Sequence, residues 1–259
     1  DMTPFNPRAS QASILSYHGG RLGISAVPGS GKTHTLSALA ADLILRGTLA
    51  SDQEVLIVTL VNSAVDNFTS RIGTFIQARG LIPHLGYRVR TLHGLAHDIV
   101  REKPARVGLE EQFQIIDEQE ANRIRADAVR AWLASNPGGM DGYLIPNLEP
   151  RKRDWILRDK LPEMLESFAL AFIRSAKDQR LTPDALARHL EKQSIHLPLV
   201  EVGLAIFSDY QRALHYRGAV DFDDLIRLSL ELLLVDDDFL ERLRHRFPYV
   251  LEDEAQDSS

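Results

Sequence analysis

Ala26-Val27-Pro28-Gly29-Ser30-Gly31-Lys32-Thr33 is the stretch that decides the fold of this 259-residue chain. Before it lies Arg21-Leu-Gly-Ile-Ser-Ala26, whose apolar pattern predicts a short strand. After it, Leu36, Leu39, Ala40, Leu43 and Ile44 recur at helical spacing between Thr33 and Arg46. Strand, glycine-rich turn and helix in that order make a cradle for phosphate. Glycine at 29 and 31 lets the backbone curl until successive N–H groups point at one anion. The helix that begins near Lys32 adds its positive end. Lys32 supplies a point charge for β- and γ-phosphates, and the Thr33 hydroxyl suits a Mg²⁺ ion beside them. Only Ala26, where the pattern has its first glycine, departs from it. The run from Ala26 to Thr33, extended to Thr35, is therefore the expected nucleotide contact.

Working outward, Val55-Leu-Ile-Val-Thr59 is a continuous apolar run of the kind buried in a parallel sheet. Asn62 can cap the helix after it, with Val65, Phe68, Ile72 and Ile76 on its apolar face. Tyr87 to Thr91 reads as a further strand, followed by a helix to about Arg101. Strand alternating with helix indicates an α/β parallel sheet. From about 101 to 210 the patterns turn helical: Glu118 to Ala134, Leu161 to Ser175, Pro183 to Glu191 and Val200 to Arg217. Thr182-Pro183 is a cap with proline at the first helical position. Phe222 to Leu234 is an amphipathic helix, and Phe247-Pro-Tyr-Val-Leu251 returns to strand. The expected organisation is a domain built from 1–100 and 211–259, interrupted by an all-helical subdomain at 101–210.

A phosphate cradle needs a carboxylate at another strand end to hold Mg²⁺. Tyr249-Val-Leu-Glu252-Asp253-Glu254 supplies one: Asp253 for the metal, and Glu254 to orient or deprotonate an attacking water. Asp236-Asp-Asp238 reads instead as a solvated acidic run, and Asp221 to Asp224 as an acidic first turn with Asp221 capping it. Arg151-Lys-Arg153 reads as a solvated basic turn.

The net charge is −6, and residues 211–259 carry 6 basic against 12 acidic groups, so a bulk-basic nucleic-acid coat is excluded. The absence of cysteine removes disulfides and thiolate metal sites. No apolar run approaches the ~20 residues of a membrane span, and residues 1–10 lack the pattern of a signal peptide. The expectation from these features is a cytoplasmic protein without membrane contact.

Asp253-Glu254-x-Gln256-Asp257 resembles the second helicase motif of the UvrD/Rep branch of superfamily one. Arg8-Ala-Ser-Gln11 resembles that family's glutamine motif, Val58-Thr59-Leu-Val-Asn62-Ser-Ala64 and Thr91-Leu-His93-Gly its DNA-contact segments, and Asp221-Phe-Asp-Asp224-Leu the segment before its acidic motif. The resemblance implies a P-loop NTPase (RecA-like) motor domain and an ATP-dependent DNA helicase translocating 3′-to-5′, in DNA repair or recombination. It implies ATP and Mg²⁺ as cofactors, and single-stranded DNA or duplex junctions as partners. By resemblance, Gln11 reads adenine, Lys32, Glu254 and Gln256 are catalytic, and Thr59, Asn62, Thr91 and His93 contact DNA. A packed histidine is the alternative for His93. Leu60 and Leu92 stand where the family has aromatics and Ser63 where it has lysine, which weakens stacking and phosphate contact. The resemblance also implies that a second motor domain, carrying arginine fingers, lies outside these residues. Two readings stay open beside it: a helicase–nuclease of the RecB/AddA kind, and a non-motor P-loop protein using ATP as a switch.

Overall fold

The computed structural model describes residues 7–27, 29–192 and 196–257. In chain order its elements are α1 (Ala9–Leu15), α2 (Lys32–Leu45), β1 (Val55–Thr59), α3 (Asn62–Gln77), β2 (Tyr87–Thr91) and α4 (Leu92–Glu102). There follow β3 (Gln114–Ile115), α5 (Glu118–Ser135), α6 (Pro150–Trp155), α7 (Leu161–Asp178), α8 (Pro183–Glu191), α9 (Pro198–Tyr216) and β4 (Ala219–Val220). The chain ends with α10 (Phe222–Val235), α11 (Asp237–Arg246) and β5 (Tyr249–Glu252). Two compact units emerge: Asp1–Ile99 with Leu233–Ser259, and Val100–Leu232.

The first unit holds a parallel sheet in the order β2-β1-β5. Val55 pairs with Tyr87 on one side and Tyr249 on the other, and the register runs to Thr59 opposite Thr91 and Val58 opposite Glu252. All five residues of β1 are buried, as a central parallel strand requires. Leu39, Ala40 and Leu43 of α2 join Phe68, Ile72 and Ile76 of α3 in the core around Ile57 and Leu251. Each such large side chain contributes about 1.5–3 kcal/mol by leaving water. The equal register aligns the strand ends, so the loops after β1, β2 and β5 emerge at one edge of the sheet.

The expected strand at Arg21–Ala26 does not form. These residues belong to no strand or helix, and Leu22 and Ile24 are exposed. Gly19 and Gly20, both at positive φ, precede the segment, and Gly23 interrupts it. That leaves two aliphatic side chains to offset the entropy of ordering a glycine-rich strand. Asn62 is the first residue of α3, and Val61 holds the cap position instead.

In the second unit, α5, α7 and α9 pack through Ile124, Ala128, Leu165, Ala169, Ile173, Ile206 and Phe207. Gly203 lets α9 approach Phe172 so closely that a β-carbon there would lie 2.6 Å from the ring. This unit is not wholly helical: β3 and β4 form a two-residue parallel ladder, Gln114 with Ala219 and Ile115 with Val220. Thr182 caps α8 as the sequence indicates, its Oγ1 accepting from the Ala185 N–H at 3.2 Å.

The acidic runs are more structural than their composition suggests. Asp236 is buried and caps α11, accepting from the Phe239 N–H at 2.9 Å, so it is no solvated loop residue. Asp221 caps α10 through the Asp224 N–H at 2.8 Å, and it also accepts from Lys177 and, at 2.6 Å, from the Tyr210 hydroxyl. Lys177 reaches Asp224 as well, at 3.0 Å. Burial pushes the Asp221 carboxyl up, but Lys177 and the bonds from Tyr210 and the Asp224 N–H together hold it below its usual value. Among the described residues, no helix is long and apolar enough to cross a membrane.

Candidate nucleotide-binding site

All the sequence-selected site residues belong to the first unit. Gly29 and Gly31 take φ of 77° and 89°, a region open to glycine at no steric cost, and Gly31 stands at the cap of α2. The Ser30 N–H reaches the Val27 carbonyl at 3.2 Å, closing the turn. Ser30 Oγ is buried with no hydrogen-bond partner among the described residues. A buried hydroxyl left unsatisfied costs about 1–3 kcal/mol, so a polar ligand in the loop meets a group already short of a partner. Ala26 is half-buried and Val27 exposed, while Pro28 lies outside the described residues.

β5 delivers the acidic end to this loop. The Asp253 N–H extends the sheet bonding to the Val58 carbonyl at 3.0 Å, which fixes Asp253 where β5 leaves β1. Asp253 is buried, and burial, followed by the neighbouring Glu254 charge, holds its carboxyl above the usual value despite Lys32. Glu254 adopts a φ of 58°, rare for a residue with a β-carbon. From there its Oε1 meets Lys32 Nζ at 2.9 Å, and its other oxygen accepts from the Gln256 amide. The Gln256 bond and then Lys32 hold the Glu254 carboxyl below its usual value. Lys32 and Glu254 are 222 positions apart, and their contact closes the phosphate loop onto the acidic strand end.

A cavity of about 490 Å³ runs beside this pair, lined by Gln11, Tyr17, Ser30, Lys32, Asp253, Glu254 and residues 20–26. Gln11 reaches into α2, its Nε2 donating to Thr35 Oγ1 at 3.0 Å. Thr35 is buried and its hydroxyl engages Gln11 and Gly31, so it supports the site from behind. Thr33 is half-buried at the first turn of α2. No cluster of three His, Cys, Asp or Glu that could cage a metal exists among the described residues. The donors proposed for a metal, the Thr33 hydroxyl and the Asp253 carboxylate, are a sparse set that fits Mg²⁺, which keeps several waters and takes substrate phosphates.

At the same sheet edge, Thr59 is buried opposite Thr91, and Thr91 Oγ1 accepts from the Gly94 N–H at 3.0 Å, capping α4. Asn62 and His93 stand exposed just beyond the two strand ends. Of the four expected DNA contacts, two therefore carry structural bonds or burial and two face outward. The pairing of Lys32 with Glu254 and the role of Thr35 behind Gln11 are not visible in the sequence. Each depends on a contact across more than twenty positions, for which no spacing rule exists.

A parallel α/β unit with a glycine-rich loop at a helix start, a lysine in it and carboxylates at an adjacent strand end is a P-loop nucleotide-binding domain. The model of the UvrD/REP helicase N-terminal domain matches residues 6–259, and the chain belongs to that family. Among curated relatives, it is 29% identical over 232 residues to DNA helicase II of Escherichia coli, covering 89% of this chain and 27% of that protein. It is 26% identical over 242 residues to DNA helicase II of Rickettsia typhi, covering 93% of this chain and 32% of that protein. It is 24% identical over 254 residues to the ATP-dependent DNA helicase PcrA of Staphylococcus epidermidis, covering 98% of this chain and 30% of that protein. The chain thus spans about a third of the length of the relatives it matches.

Proposed function

We propose that this domain is the ATP-binding part of an ATP-dependent DNA helicase that moves 3′-to-5′ on single strands, in repair or recombination. The observation that carries the reading is the 2.9 Å contact of Lys32 with Glu254, which joins the phosphate loop to the acidic strand end. The family membership and the likeness to PcrA, named an ATP-dependent DNA helicase, support it. In this reading a helical subdomain, expected at 101–210, is inserted in a RecA-like motor domain expected at 1–100 and 211–259; the second compact unit runs on to Leu232, so residues 211–232 go with the insert.

Gly29 to Thr33 wrap the phosphates with main-chain N–H groups, and Lys32 leaves Glu254 to meet the γ-phosphate. Thr33 and Asp253 would hold Mg²⁺, which when bound neutralises charge on the β- and γ-phosphates. Released from Lys32, the Glu254 carboxylate orients a water against the γ-phosphorus and accepts its proton. Gln256, bonded to Glu254, senses whether that carboxylate has moved. Gln11 reads adenine. Asn62 and His93 are the DNA contacts best placed by exposure, with single-stranded DNA at a junction as the substrate.

The test is a titration of a fluorescent ATP analogue, with and without Mg²⁺, against wild type and Lys32→Ala. Binding that needs Mg²⁺ and is lost in Lys32→Ala is expected, and equal affinity for the two proteins refutes the proposal.

A further inference from the structure

Gln11 can read adenine only if its amide faces the right way round, and the geometry around it makes that choice before any ligand arrives. The Thr35 hydroxyl has one hydrogen and donates it to the Gly31 carbonyl at 3.0 Å. Towards Gln11, at 3.0 Å, the Thr35 oxygen can therefore only accept, so the Gln11 NH₂ must face it. On the other side the Arg8 main-chain N–H, which can only donate, lies 3.0 Å from Oε1. Two independent constraints agree on one orientation. An amide free of such neighbours has two orientations that differ little in shape.

What remains unspent is one N–H on Nε2 and one lone pair on Oε1. Adenine offers an amino donor at its 6-position beside the N7 acceptor, whereas guanine offers two acceptors there. The fixed amide matches adenine at both atoms and sets its own oxygen against the guanine oxygen. We propose that Thr35 is a specificity-determining, positioning residue for the base: it never touches adenine but locks the Gln11 amide in the adenine-reading orientation. The amide lies close against the start of α2, since a β-carbon on Gly31 would stand in ordinary contact with Gln11 Nε2, at 3.4 Å. The inference rests on the reading of Gln11 as the adenine contact.

The experiment compares affinities for ribose-labelled ATP and GTP analogues in residues 1–259, for wild type, Thr35→Val, Thr35→Ser, Gln11→Ala and the double variant Gln11→Ala/Thr35→Val. Valine keeps the shape of threonine and removes the acceptor, while serine keeps the acceptor. One lost hydrogen bond predicts an ATP-to-GTP preference reduced roughly 2- to 10-fold in Thr35→Val. Thr35→Ser should restore it, and Thr35→Val should change nothing further once Gln11 is alanine. Thermal unfolding of each variant reports folding, and Thr35→Ser carries the test if valine is not tolerated: it must then keep the preference that Gln11→Ala loses. If Gln11→Ala abolishes the preference and Thr35→Val keeps it whole, the role of Thr35 is overturned while the adenine contact stands. If Gln11→Ala keeps the preference, the adenine reading itself fails and the inference falls with it.

Discussion

Each unit of the molecule places a lysine against carboxylates, and the two constellations differ in how much water they see. In the first unit Lys32 meets Glu254 with side chains 26% and 42% exposed. In the second, Lys177 meets Asp221 and Asp224 with exposures of 3%, 12% and 5%. The same chemistry has opposite consequences. An exposed pair is worth little to stability, because water and salt compete for both partners. A buried one is dangerous to break, because the surviving charges have no water to turn to. The first arrangement suits a site where one partner must let go for a ligand. The second suits a clasp, tying α7 and α9 to the start of α10 through Lys177, Tyr210 and Asp221.

The comparison breaks most directly at the lysines. Lys177→Met should destabilise the protein by about 3–5 kcal/mol, read as a lowered urea midpoint, by leaving the buried Asp221 carboxylate without its counter-charge, while Asp224 keeps Arg227 at 3.5 Å. Lys32→Ala should leave stability within about 0.5 kcal/mol, as for surface changes generally, while nucleotide binding is lost. A Lys32→Ala protein as unstable as Lys177→Met would erase the distinction. Gly203→Ala should cost about 1–3 kcal/mol by forcing α9 off Phe172, and calorimetry should find unfolding enthalpy changed without any loss of nucleotide affinity.

Acid sharpens the same contrast. The Asp221 carboxyl is held below its ordinary value in the folded protein. Its contribution is therefore fully present above the unfolded value of about 3.9 and is lost as pH falls through the lower folded value. Urea midpoints measured from pH 6 to pH 3 should drop in wild type at the acid end, and Asp221→Asn should flatten that drop. The smallest effect concerns the exposed pair: Glu254→Gln removes the carboxylate competing for Lys32 and should tighten analogue binding modestly while hydrolysis is lost. Weaker binding in Glu254→Gln would mean that Glu254 assists the phosphate instead of yielding to it.

What the sequence made legible follows from the range of the forces involved. The glycine loop, the continuous run of β1 and the apolar faces of α2 and α3 are local patterns, and the structure has them with ends shifted by a residue or two. The strand expected at 21–26 failed because pattern reading counts Leu22 and Ile24 but not the entropy of Gly19, Gly20 and Gly23 around them. Asp236 departs from the solvated run for a related reason: within three consecutive aspartates, composition does not say which one turns inward to cap a helix. In the site, the glycine loop and the acidic strand end are each readable as local patterns. That Thr91 spends its hydroxyl on Gly94, or that Tyr210 and Lys177 meet Asp221, depends on packing between distant segments and has no signature in spacing.

Glu254 in its left-handed backbone conformation, with Lys32 in its grasp, makes the loop an ion exchanger loaded with its own counter-ion. The lysine already faces a carboxylate, so a single stray anion must compete with a resident charge. An arriving triphosphate does not gain a full lysine contact; it gains the difference between its own attraction and that of the carboxylate it displaces. Added salt screens both the guest and the resident, so nucleotide affinity should fall less steeply with ionic strength than a bare lysine would dictate. Selectivity in such a site comes from what a single carboxylate cannot copy: several phosphate oxygens addressing the curled main chain between Gly29 and Thr33 at once.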